Sequence, residues 1–213
     1  MSSISDLRKE YSKKSLSENE VASDPLSQFE QWWLDAEASG IEEMNAMTLA
    51  TASSDGIPSA RIVLLKGFDQ SGFVFFTNYS SFKARQLEEN PRASLVFFWK
   101  DLERQVRILG LVEKLEASAS DEYFDTRPEG SKIGAWASPQ SQVIPGRSWL
   151  EDLERKFKES FKGKKIQRPE GWGGYRVRPI HFEFWQGRTN RLHDRLQYTL
   201  EEGGNWKIER LAP

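Results

Sequence analysis

The chain has 213 residues, two histidines, no cysteine and a formal net charge of −2. Its length suits one sizeable domain, which would bury roughly 70% of the surface of the unfolded chain. The charge balance argues against a general polyanion binder, and the lack of cysteine excludes disulfides, thiolate metal sites and a cysteine nucleophile.

The first 23 residues are polar and poor in core residues, and they read as a mobile arm over 1–23 followed by a single domain over 24–213. They contain no apolar stretch, so no signal peptide is expected. The longest apolar runs, such as LVFFW at 95–99, are too short to span a membrane. The expectation is a soluble, cytoplasmic protein.

Asp24-Pro25 supplies an N-cap followed by proline at the first helical position. Phe29, Trp32, Trp33 and Ala36 then recur at helical spacing, and Gly40 can end the helix. AMTLATAS and SARIVLLKGF read as two strands of a hairpin turning on Asp55-Gly56. FVFFTN is a further strand. SSFKARQLEEN has helical composition with a serine cap, and Pro91 stops it. RASLVFFWK and RQVRILGLVEKL form a second hairpin about DLE. SASDEYFDTRP reads as a short helix ended by Pro128, and SWLEDLERKFKESF spaces Leu150, Leu153, Phe157 and Phe161 helically. GYRVRPIHFEFWQ, RLHDRLQYTL and NWKIERL are three closing strands. Short strands, tight turns and outlying helices predict an antiparallel barrel.

No phosphate-binding glycine loop is evident, and GWGG at 171–174 reads as a turn. His181 and His193 lie 12 apart without a carboxylate cluster, so no metal site is expected. No GxSxG elbow supports a serine nucleophile. Several cations are more suggestive. Arg61 and Lys66 bracket the apolar IVLL, either as solvated strand ends or as anion ligands. Lys83 and Arg85 stand at a helix start, where the backbone favours an anion, although an ordinary charged face fits equally. Gln105 could read a heterocycle edge or be a surface glutamine. Tyr123 and Arg127 are i and i+4 on one expected helix, with Ser131 in a following loop. They form a phosphate site or a simple packing pair. If RTNRLHDR is a strand, Arg191, His193 and Arg195 share one face. The aromatic strands could stack bases, but continuous aromatic runs favour a core and the acidic balance disfavours nucleic acid.

Taken together, LRKEY, RIVLLK, FTN, NPRASL, ERQVR, YFDTRP, SKIGAW, Gln140-Ser141, WGG, FEFWQG, RLHDR and WKIERLAP resemble the pyridoxine/pyridoxamine 5′-phosphate oxidase family, from residue 7 almost to the C-terminus. The resemblance implies a mainly β, FMN-binding split β-barrel with peripheral helices. It also implies a homodimer with noncovalent FMN at the subunit interface, and no nucleic-acid or membrane partner. The implied reaction oxidises pyridoxine or pyridoxamine 5′-phosphate with O2, as hydride transfer from the substrate C4′ to flavin N5. Donor and acceptor must then be held roughly 3–3.5 Å apart.

Carried over residue by residue, the FMN set is Arg61, Ile62, Val63, Leu64, Leu65, Lys66, Phe76, Thr77, Lys83, Gln105, Gln140, Ser141, Trp185 and Arg195. The substrate set is Lys66, Tyr123, Arg127, Ser131, Arg191, Leu192 and His193, with Arg191 and His193 as the catalytic pair. Arg8, Lys9, Glu10 and Tyr11 are expected to form a lid. One position departs from the family pattern: Phe82 stands where arginine is common beside the FMN phosphate. It is the one hint of an alternative, a non-catalytic flavin or B6-phosphate binding protein.

Overall fold

Asp24 starts the first helix as its sequence suggests. Its carboxylate accepts from Ser27 N at 2.8 Å, Pro25 follows at N1, and α1 runs Pro25–Ala38 before Gly40 turns left-handed at φ 66°. The computed structural model describes residues 3, 4 and 10–213. After α1 come β1 (Ala46–Ala52), β2 (Pro58–Leu64), β3 (Gly67–Asp69), β4 (Gly72–Asn78) and α2 (Phe82–Glu89). The hairpin β5 (Arg92–Trp99) and β6 (Arg104–Lys114) leads to α3 (Ala117–Thr126), α4 (Glu129–Ala137) and α5 (Arg147–Phe161). β7 (Trp172–Gln186), β8 (Asp194–Leu200) and β9 (Trp206–Arg210) complete the sheet.

All strand pairs are antiparallel, in the order β2-β1-β5-β6-β7-β4-β3, with β8 on β7 and β9 on β8. β7 is the fork of the sheet. Residues 172–177 pair with β4 and residues 181–186 with β8, while β6 runs along its other edge. Pro179 sits between the two partners, where its missing N–H costs no ladder bond. The register to β6 shifts there, between Leu109 and Gly110. A Cβ on Gly110 would lie 2.5 Å from the Arg178 carbonyl, so glycine permits the close approach.

The strands alternate buried and open residues. Met47, Leu49, Leu95, Phe97, Val106 and Ile108 turn inward, and α1 closes the barrel over them. Phe29, fully buried, is the hub of this core, edge-on to Phe68, Phe73 and Phe97 at centroid distances of 5.0, 4.9 and 5.1 Å. A smaller core of Phe124, Ile133, Ile166 and Trp172 joins α3 and α4 to the start of β7. No helix among the described residues is long and apolar enough to cross a membrane.

Five expectations change. Arg127 is not on a helix: it precedes Pro128, is barred from helical geometry, and extends at φ −71°, ψ 147°. Ser131 is not in a loop but in α4, which begins just past that break. Arg191 and His193 are not on a strand. Asn190 and Arg191 are left-handed (φ 55° and 60°), so the chain turns there and β8 starts only at Asp194. In GWGG only Gly171 belongs to a turn, and Trp172, Gly173 and Gly174 open β7. The segment read as a mobile arm is, over its described residues 10–23, tied to the body. Leu16 is buried, Leu16 N donates to Asp194, and Tyr198 Oη donates to the Ala22 carbonyl. Arg8 and Lys9 lie outside the described residues.

Candidate active site

β2, β4, the start of α2 and the α3–α4 junction enclose a cleft of about 540 Å³. Of the expected cofactor residues, Arg61, Ile62, Val63, Leu64, Lys66, Phe76, Thr77, Lys83 and Gln140 line it. Tyr123, Arg127 and Ser131 of the expected substrate set line it too. Four cations therefore face one cavity, and no Asp or Glu is among its lining residues.

Two of the four cations, Arg61 and Lys83, are held in place by neutral oxygens. Arg61 Nη1 donates to the Leu49 carbonyl (3.1 Å) and to Thr51 Oγ1 (2.7 Å), and Nη2 donates to Ser59 Oγ (2.6 Å). Lys83 Nζ donates to Thr77 Oγ1 and Gln140 Oε1, each at 3.1 Å. Burial, and then the nearby Arg61 charge, hold the Lys83 ammonium below its usual range. Burial also depresses Arg61 and Arg127, although a guanidinium stays charged at neutral pH. Arg127 lies with its guanidinium carbon 4.5 Å from the Trp172 ring centroid, and its Nη1 is buried without a hydrogen-bond partner. Unpaired buried donors are rare and call for an explanation. An anion bound in this cleft would supply one.

Beside the cations stands a flat aromatic wall. Phe76 stacks on Tyr123 at 3.9 Å and 17°, and on Trp172 at 5.4 Å and 11°. The residues present thus fit both parts of FMN, a phosphate needing cations and a ring needing planar apolar surface.

The remaining expected residues do not line the cleft. Leu65 turns into the core, and Ser141 sits exposed at φ 66°. Gln105, Trp185 and Arg195 face one another across β6, β7 and β8, at the far end of the outer sheet face. His193 lies 4.6 Å from Trp185 between ring centroids, with Tyr11 edge-on to Trp185 at 5.7 Å. Arg191, Leu192 and Glu10 are exposed. Arg188 N donates to His193 Nδ1 at 3.1 Å, so the neutral ring carries its hydrogen on Nε2. Burial, then Arg191, keep the imidazole below its ordinary pKa, which favours that neutral form.

Sequence reading missed several residues. Asn78, Thr126, Pro128 and Trp172 also line the cleft. Glu183 is buried between two arginines: it accepts from Arg195 Nε (2.9 Å) and Nη2 (3.1 Å), and from Arg107 Nη1 (2.9 Å). A glutamate inside the aromatic run HFEFW was the available signal, since carboxylates are rarely buried unpaired. Phe82, by contrast, is half exposed and outside the core, with the Arg85 guanidinium 5.7 Å from its ring centroid.

An antiparallel split barrel carrying a cation-lined cleft against an aromatic wall defines the class as the FMN-binding split barrels. The family profile for pyridoxamine 5′-phosphate oxidase matches residues 34–155. That for the pyridoxine 5′-phosphate oxidase C-terminal dimerisation region matches residues 172–213. Pyridoxine/pyridoxamine 5′-phosphate oxidases of Polynucleobacter asymbioticus and Cupriavidus necator are 58% and 55% identical over the whole of each chain. Among solved structures, PhzG of Burkholderia lata in complex with tetrahydrophenazine-1-carboxylic acid aligns with a TM-score of 0.88 at 31% identity, covering 95% of this chain and 100% of its own. A pyridoxamine 5′-phosphate oxidase-related, FMN-binding protein of Nostoc punctiforme aligns at 0.70 and 17%, covering 91% of this chain and 100% of its own, which bears on the fold alone. The chain belongs to the pyridoxine/pyridoxamine 5′-phosphate oxidase family and is an oxidoreductase.

Proposed function

We propose that the chain oxidises pyridoxine 5′-phosphate or pyridoxamine 5′-phosphate with O2. The products would be pyridoxal 5′-phosphate and hydrogen peroxide, plus ammonia from the amine. The observation that carries this reading is the cleft of four cations without a carboxylate, in which one guanidinium nitrogen is buried and unpartnered. When bound, FMN supplies the two-electron acceptor chemistry. Arg61, Lys83, Thr77 and Gln140 hold its phosphate by charge and hydroxyl or amide contacts. Arg127, Ser131, Tyr123 and Lys66 hold the substrate phosphate, and Phe76 and Trp172 exclude water from one side. Arg191 and His193 orient the pyridine ring, His193 through its Nε2–H.

Anaerobic addition of pyridoxamine 5′-phosphate to the purified yellow protein should bleach the flavin band, and air should restore it with release of peroxide. A protein that binds flavin and substrate without bleaching would instead be a non-catalytic binder, and the reading would fail.

The same reading requires two chains. One row of outward residues runs Ile62, Thr48, Val96, Arg107, Glu183 and Gln197 from β2 to β8. Five strand spacings of roughly 4.8 Å separate its ends by about 24 Å, farther than one isoalloxazine ring spans. The cleft lies by β2, whereas Trp185, His193 and Arg195 lie by β8. The outer face also exposes Ile62, Phe98, Leu109 and Leu111, apolar side chains that a partner would cover. A two-fold pairing through this face sets each protomer's cleft against the β8 end of its partner. Light scattering should report twice the 24.6 kDa chain mass. A fully active monomer would remove the shared-site argument.

A further inference from the structure

The segment before α1 crosses the tip of the β5–β6 hairpin and is gripped there by a residue with no assigned role. Glu103 follows the tight turn Lys100–Leu102 in left-handed geometry (φ 56°) and is only 2% exposed. Its Oε2 accepts from Ser12 N at 2.8 Å and Lys13 N at 3.1 Å. Lys13 Nζ adds a bond to the Asp101 carbonyl at 2.6 Å. The Glu103 carbonyl in turn accepts from Gly187 N at 2.8 Å and from Gln186 Nε2 at 3.2 Å. One residue thus joins the arm to the end of β7.

Immediately before the gripped amides, the Tyr11 ring stands edge-on to Trp185 (5.7 Å, 88°) and 6.0 Å from His193. Its floor is Gly187. A Cβ there would stand 2.7 Å from both Tyr11 Cβ and Cγ, closer than real Cβ contacts come. Two independent features, a buried carboxylate and an absent side chain, therefore serve the same ring.

We propose that Glu103 and Gly187 are positioning residues that seat Tyr11 against Trp185 and His193, where it walls the subsite for the ligand's pyridine ring. Glu103 acts through the two arm amides and Gly187 by leaving space. The inference rests on the reading of Trp185 and His193 given above. A ring that walls a subsite changes how tightly the heterocycle is held, not the electron transfer itself, so its loss falls on KM.

The test compares Glu103→Ala, Glu103→Gln and Gly187→Ala in the full, FMN-reconstituted chain. Hydrogen exchange at Ser12 and Lys13 should quicken in Glu103→Ala and remain near the parent rate in Glu103→Gln, whose amide oxygen can still accept. Losing hydrogen bonds of this kind should raise KM for pyridoxamine 5′-phosphate roughly three- to tenfold in both alanine variants, with kcat within about twofold. Glu103→Gln should return KM to near the parent value, a rescue that a general loss of packing would not give. The double alanine variant should be no worse than the worse single one, because both act through one ring. Unchanged exchange in Glu103→Ala, or unchanged KM despite faster exchange, overturns the proposal, as does a multiplicative double variant. A parent chain without turnover overturns the functional reading instead, and exchange at Ser12 and Lys13 still decides whether Glu103 holds the arm.

Discussion

Arg127→Ala should lose roughly ten- to a hundredfold in kcat/KM for pyridoxamine 5′-phosphate, nearly all of it in KM, because a charge-assisted hydrogen bond is worth about 1.5–3 kcal/mol. Three observations converge on this residue. Pro128 forces it out of the helix, Trp172 fixes its guanidinium plane, and Nη1 is buried with no partner. On the function proposed above, a phosphate oxygen would complete it. The same substitution should leave the ligand-free fold as stable or slightly more so, since it removes a buried donor that none of the described residues satisfies. Arg127→Lys should recover only part of the loss, having the charge but not the planar fork. Steady-state kinetics with phosphorylated and unphosphorylated pyridoxamine, beside a thermal melt, decide the matter. A parent enzyme that uses both amines equally well would sink the phosphate assignment.

Phe29→Ala should cost about 3–5 kcal/mol of stability, the range for truncating a fully buried phenylalanine. The ring meets Phe68, Phe73 and Phe97 edge-on and also approaches Trp33 and Trp99. Those neighbours are rigid and belong to both α1 and the strands, so the cavity cannot collapse by moving one of them. For a chain of this size the loss corresponds to a fall of about 6–20 °C in melting temperature. Phe29→Leu should lose less, because it refills part of the volume. A denaturant midpoint unchanged within error in Phe29→Ala would mean that α1 does not plug the barrel.

Much of the fold was legible because local rules and tertiary need agreed. Asp24-Pro25 and the spacing of Phe29, Trp32 and Ala36 gave α1 a start and a face, and both survive in the structure. The failures came where a long-range partner or a backbone detail decided. Nothing local to Ser12 or Lys13 announces a carboxylate some ninety residues away, so a polar segment read as a free arm. RLHDR alternates like a strand, but left-handed Asn190 and Arg191, neither of them glycine, turn the chain at its start. Each cation of the cleft also had an ordinary reading by itself. Only the long-range contacts of β2 with β4, of β4 with β7 and of α3 with β7, and the Lys83–Thr77 bond, bring them onto one cavity without a carboxylate.

That cavity sits in a chain whose formal net charge is −2. Far from the protein, a phosphate ester therefore meets weak repulsion, and the local field turns attractive only within about 8 Å, the screening length at physiological salt. On the proposed reading, capture is decided at the mouth of the cleft, which would draw in any small dianion that reaches it. Inorganic phosphate is such a dianion, so a phosphate-buffered titration would then measure the exchange of one phosphate for another. The choice of buffer is then part of the ligand chemistry of this protein.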